Sequence, residues 1–206
     1  LANRERAKEI SMPRPLLYLD VDGPLNPYAA DPQRPPAGYT AHRMLPESWL
    51  AQHLGKPRPY VKPLRVLLNP EHGKQLRTLS ARYDLVWATA WSTEANTFIA
   101  PVLGLPDLPA VEFPAEDATH LNGRCWKTRH ILAHAAGRAF AWIDDEIGDA
   151  DLKHVRSHHP SSALLHHVDA RIGLQDEDFA TLRGFAQQFT TPSSPAAPRR
   201  GNHPQL

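Results

Sequence analysis

Three short apolar runs in this chain each end in an acid or a hydroxyl, and that repeated ending constrains the fold more than any other feature. Leu16-Leu17-Tyr18-Leu19 runs into Asp20-Val21-Asp22, Leu85-Val86-Trp87-Ala88 into Thr89, and Phe140-Ala141-Trp142-Ile143 into Asp144-Asp145-Glu146. Each run has the length of a strand, and helical patterns lie between them. Strands alternating with helices indicate a parallel sheet covered on both faces, hence an α/β domain. Such sheets bind ligands beyond the carboxyl ends of their strands, which is where these polar residues fall.

Asp20 and Asp22 stand two residues apart on a turn marked by Gly23 and Pro24. Acids left unpaired at the end of a buried strand would cost several kcal/mol, so a partner is required. Mg2+ is the expected one, because it favours carboxylate and carbonyl oxygens and commonly accompanies phosphate.

The chain has 206 residues, long enough for one α/β core, and its formal charge of +1 gives no global field for nucleic acid or membrane. Its single cysteine, Cys125, excludes an internal disulfide and fits a reducing compartment. No apolar run reaches the roughly 18–20 residues of a membrane span. Leu1–Ser11 is charged and lacks the apolar centre of a signal peptide, and Met12 offers a natural start. The cytoplasm is the expected location.

Residues 1–13 and the Pro/Ser/Ala-rich tail 190–206 are expected to be flexible, leaving 14–189 as the folded domain. Asn69-Pro70-Glu71 reads as N-cap, N1 proline and first-turn acid, opening a helix with Leu76, Leu79 and Tyr83 on one face. Further helices are expected from near Ser92 through Leu103, over 126–136, over 147–156 and around Phe179–Phe189, with strands at 108–113 and 163–168. Residues 27–63 break the rhythm. They hold eight prolines, and five basic residues against two acids give a local charge of +3. Tyr28, Tyr39, Trp49 and Tyr60 are interleaved. So many prolines exclude a long helix and suggest a loop-rich flap with a hairpin from 39–44 and 66–68. Such an insert ordinarily reads as a solvated loop; if it selects an anionic substrate, Arg43 and Arg58 are the residues whose replacement would show it.

The order Asp20-x-Asp22, Thr89, Lys127, Asp144-Asp145 with Asp149 following resembles the four motifs of the haloacid dehalogenase-like (HAD) hydrolase superfamily, over about residues 15–189. Pro24 departs from the Thr or Val common in that motif. The resemblance implies a three-layer sandwich on a mainly parallel, Rossmann-like sheet, with 27–63 as a small cap after the first strand. It makes Asp20 the nucleophile that forms an aspartyl-phosphate and Asp22 the acid/base. Thr89, with the backbone after it at Ala90, and Lys127 bind the phosphoryl group. Asp20, the Asp22 carbonyl and Asp145 hold Mg2+, while Asp144 and Asp149 support the site from behind.

Other roles for these residues are weaker. Thr89 could merely cap the next helix, Lys127 could be a solvated helix lysine, and Lys74 stands out of motif order. Glu146 reads as surface, Trp87 and Trp91 as packing, with Trp91 far enough along to line a pocket. His154, His158, His159, His166 and His167 invite zinc, but only His154 and His158 share helical spacing. The expected activity is Mg2+-dependent phosphomonoester hydrolysis on a phosphorylated substrate. The alternatives are a metal- and phosphate-binding module without turnover, or a phosphatase acting on nucleic-acid ends. Dehalogenation is not expected, since that branch does not need the Mg2+ acids.

Overall fold

The computed structural model describes residues 13–114 and 123–189. The expected flexible segments at 1–13 and 190–206 therefore lie outside the described residues, Pro13 excepted. Four strands, β1 (Leu16–Leu19), β4 (Asp84–Trp87), β5 (Phe140–Asp144) and β6 (Ala163–His167), form a parallel sheet in the order β4-β1-β5-β6. The other two strands, β2 (Thr40–Met44) and β3 (Leu64–Leu68), pair with each other as an antiparallel hairpin, Thr40 opposite Leu68 and Met44 opposite Leu64.

The period-two geometry of a strand explains why the central runs are apolar throughout. Leu17, Leu19, Leu85, Trp87, Ala141 and Ile143 point to one face, into a cluster with Leu76 and Leu79 of α2 (Pro70–Leu79) and Phe179 and Leu182 of α7 (Asp176–Gln187). Leu16, Tyr18, Val86, Ala88, Phe140 and Trp142 point to the other, against Ile131 of α5 (Thr128–Ala135) and Val155 of α6 (Asp149–His158). The sheet is thus the middle of three layers, as the sequence predicts.

Proline accounts for two departures. The helix expected from Ser92 to Leu103 is split into α3 (Glu94–Phe98) and α4 (Ala100–Leu103), because Pro101 has no N–H to carry the ladder across. The strand expected at 108–113 is reduced to a single parallel bridge between Trp87 and Ala110. Pro109 can accept from Trp87 N–H at 2.8 Å but cannot donate, and Pro114 ends the segment. The predicted cap of α2 is present: the Asn69 side chain accepts from Glu71 N–H at 3.0 Å. Gly73 lets α2 meet α4, since a Cβ there would lie 1.8 Å from the Leu103 carbonyl oxygen.

The 27–63 insert adds α1 (Glu47–Ala51) and one 3-10 turn, Arg58–Tyr60, between the two hairpin strands. The hairpin is rooted in the body, with Met44, Val66 and Leu68 buried in the same cluster as β1 and α2. Among the described residues, no helix is long and apolar enough to cross a membrane.

His72, buried on α2, packs edge-on to Tyr39 and tilted against Phe179. Burial pushes its pKa down to about 4. The unfolded chain takes up this proton near pH 6.5, whereas the folded one resists until about pH 4. Stability from this group is therefore intact above pH 6.5 and is lost as pH falls toward 4. Between pH 7 and pH 4.5 the wild type should lose about 2–3 kcal/mol more than His72→Leu in urea unfolding. Equal losses in the two proteins would remove His72 from the acid response.

Candidate active site

The carboxyl ends of β1 and β5 place most of the candidate residues. Asp20 follows β1 and is only 4% exposed; its Oδ1 accepts from Val21 N–H at 2.7 Å. Its other oxygen accepts from Lys127 Nζ at 2.6 Å. Lys127, just before α5, also donates to Asp144 Oδ2 at 2.7 Å, and its ammonium lies 5.6 Å from the centre of the Trp126 ring. Asp144 ends β5 fully buried and fully engaged, accepting also from Trp142 Nε1 at 3.1 Å and Glu146 N–H at 2.9 Å. Asp145, one residue on, is half-buried and faces the pocket, where Tyr28 donates its hydroxyl proton at 3.0 Å.

One ammonium serves two buried carboxylates, and that imbalance sets the electrostatics. Burial raises the pKa of Asp20, and Asp144 and Asp22 add to it against the pull of Lys127. Burial likewise raises those of Asp144 and Asp145. Burial opposes the charge of Lys127, but Asp20 and Asp144 outweigh it and hold the ammonium well above the ordinary lysine value. The site is a fixed cation inside an excess of negative charge.

That excess fits a divalent cation. Oxygens of Asp20, Asp144 and Asp145 all lie within 4.8 Å of one another, and all are the hard donors that Mg2+ prefers. Gly23, at φ +91°, makes room for the third: a Cβ there would sit 2.5 Å from the Asp145 carboxyl carbon. A second convergence, Cys125 with Asp144 and Glu146, is less suited, because burial raises the thiol pKa and keeps it protonated. Among the described residues, neither group includes a histidine.

Asp22 is turned differently. Its Oδ1 accepts from the Asn26 amide at 2.7 Å and its Oδ2 from Trp91 Nε1 at 2.9 Å. The 21–26 turn is closed by Val21 carbonyl bonds to the N–H groups of Leu25 and Asn26. Pro24 lies in this turn without touching either carboxylate, its carbonyl accepting from Leu174 N–H at 2.9 Å. Thr89 is buried two residues past β4, its hydroxyl accepting from Trp91 N–H at 3.4 Å, while Ala90 opens onto the pocket. Asp149 starts α6 exposed and outside the carboxylate cluster. Two residues on, Asp151 is fully buried and binds Cys125 N–H and Gly148 N–H, each at 2.9 Å, and the Thr128 hydroxyl. Asp151 thus fastens both flanks of Lys127 to α6.

These groups open into a cavity of about 500 Å3, with Asp20, Asp22, Lys127 and Asp145 in its lining. Tyr28, Trp49, Trp91, Trp126 and Arg65 supply much of the rest. Arg43 and Arg58, the insert's candidates for substrate selection, do not line it: Arg43 is exposed on β2 and Arg58 pairs with Glu47 on the surface. Arg65, just beyond the insert's expected boundary, does line it. The insert and the β3 strand that follows it are each tied to the body. Glu94 accepts from the first N–H groups of α1, Glu47 at 2.6 Å and Ser48 at 3.2 Å, and Asn26 Oδ1 accepts from Leu67 N–H at 2.9 Å.

A parallel sheet with acid-bearing turns at its carboxyl ends and a buried lysine between the acids is the arrangement of HAD-like hydrolases. The chain belongs to the family described as "HAD domain in Swiss Army Knife RNA repair proteins", which it matches over residues 16–179. Compared with curated proteins and with solved structures, it finds no match.

Proposed function

We propose that this domain is a Mg2+-dependent phosphomonoester hydrolase working through an aspartyl-phosphate on phosphorylated RNA ends. The observation that carries the chemistry is the Lys127 ammonium, 2.6 Å from Asp20 and 2.7 Å from Asp144, at the floor of an open pocket. It holds the Asp20 carboxylate in one orientation and supplies positive charge where a phosphoryl group would sit. The RNA part rests on the family's description and on the pocket's room above Asp20.

In the first step an Asp20 oxygen bonds to phosphorus as the bond to the leaving oxygen breaks, and Asp22 gives that oxygen its proton. In the second, Asp22 takes a proton from water, whose oxygen bonds to phosphorus as the Asp20–phosphorus bond breaks. Asp20, Asp145 and the Asp22 backbone carbonyl are the groups to hold Mg2+, which would neutralise phosphoryl charge during both steps. The Thr89–Ala90 segment holds phosphoryl oxygens, and Asp144 keeps Lys127 in place.

A screen of 3′- and 5′-phosphorylated RNA, nucleotides and sugar phosphates should show phosphate release that EDTA abolishes and Mg2+ restores. Rapid acid quench should trap phosphoprotein at Asp20. Failure to hydrolyse any phosphomonoester, or EDTA-insensitive turnover without phosphoprotein, would sink this reading.

A further inference from the structure

Three of the four aromatic side chains in the pocket lining have their polar atoms engaged within the protein. Trp49 Nε1 donates to the Lys62 carbonyl at 3.0 Å, Trp91 Nε1 to Asp22 at 2.9 Å, and the Tyr28 hydroxyl to Asp145 at 3.0 Å. What they offer a ligand is ring surface rather than hydrogen-bond donors. The Trp49 ring is further braced by His53, whose ring centre lies 4.5 Å away. Arg65, half-buried at the same pocket, donates to the Pro32 carbonyl at 3.3 Å and pairs with no carboxylate among the described residues.

We infer that the insert builds a seat for the last nucleoside of a single-stranded RNA end, one that stacks on the base without reading its identity. This rests on the proposed hydrolysis of RNA ends and names the subsite beside it. Trp49, carried by α1, provides the stacking surface, and Arg65, carried by β3, faces the adjoining phosphodiester. Stacking tolerates every base, since each has a π face, while sequence readout needs free donors and acceptors that these rings lack. Glu94 and Asn26 fix α1 and β3 relative to Asp20 and Asp22, so the seat and the reacting phosphate keep a set separation. A cavity of about 500 Å3 has room for one terminal nucleotide, as an unpaired end supplies.

The test uses the full chain with Mg2+ and end-phosphorylated oligoribonucleotides whose last residue is A, C, G, U or abasic. The four bases should give kcat/KM values within about three-fold of one another, and the abasic end roughly ten-fold less or lower, mainly through KM. Trp49→Ala should bring the ratio of base-bearing to abasic substrates toward one, and Trp49→Phe should keep it. Arg65→Ala should raise KM for a dinucleotide more than for a mononucleotide. An abasic end processed as well as the others, a strong preference for one base, or an unchanged ratio in Trp49→Ala would overturn the seat while leaving the phosphatase standing. If no substrate is hydrolysed, quenching of tryptophan fluorescence by the same oligonucleotides decides. Binding that needs a base of any kind and that Trp49→Ala removes supports the seat, and equal binding of abasic and base-bearing ends overturns it.

Discussion

Replacing Lys127 by methionine should destabilise the fold by about 3–5 kcal/mol, because it leaves buried carboxylates without their shared cation. The two residues most affected are Asp20 and Asp144, each nearly inaccessible and each bonded to the same ammonium. Both carboxyls already have raised pKa values with Lys127 in place, and its removal raises them further. A folded-state pKa above the unfolded one gives stability that is present at low pH and lost as pH rises. The deficit of Lys127→Met should therefore be larger at pH 7 than at pH 5.5 in urea titrations, and adding Asp144→Asn should recover part of it. A deficit under about 1 kcal/mol, independent of pH, would reduce the triad to a surface-type ion pair.

Asp22→Asn should lower turnover by roughly 10²–10⁴-fold, the usual contribution of a general acid/base. Its effect on stability should be far smaller. Both Asp22 oxygens now accept from donors, Asn26 and Trp91, and an amide can satisfy only one of them through its oxygen. One lost hydrogen bond amounts to about 1 kcal/mol. Phosphate-analogue binding should survive, because Asp20, Lys127 and Asp145 are untouched. With an aryl phosphate, whose leaving group needs little protonation, the first step should suffer less and phosphoprotein should accumulate. Single-turnover kinetics with acid quench reads both steps. Unchanged turnover in this variant would remove Asp22 from proton transfer.

The central sheet was legible because its strands are buried on both faces and so read as unbroken apolar runs. The cap of α2 and the motif order could be read because they are local or ordered along the chain. The pocket wall could not be read in that way. Arg65 is adjacent to the site only because β3 pairs with β2 and the hairpin packs on the core, a relation no local pattern encodes. Trp91 looks like a packing residue in sequence, and it is buried; its indole N–H meets Asp22 across 69 positions of chain. Asp151 stands three residues past the N-cap Gly148, where an acid can reach back to the N-cap N–H, yet the spacing from Asp145 points to Asp149 instead. Pro101 and Pro109 were visible, but how far each would interrupt its element depended on which backbone groups needed partners.

The amide of Asn26 has one end on Asp22 and the other on the backbone of β3 at Leu67. One planar group, 3% exposed, is therefore a rigid strut between the Asp22 carboxylate and the strand that carries Arg65. Sliding the hairpin along the sheet would drag the strut and with it a donor to the acid. Insertions or deletions in the 45–63 connection that preserve the β2–β3 register leave that linkage unstrained; those that shift the register by one residue move the donor to Asp22 from a distance, without altering any residue of the carboxylate cluster.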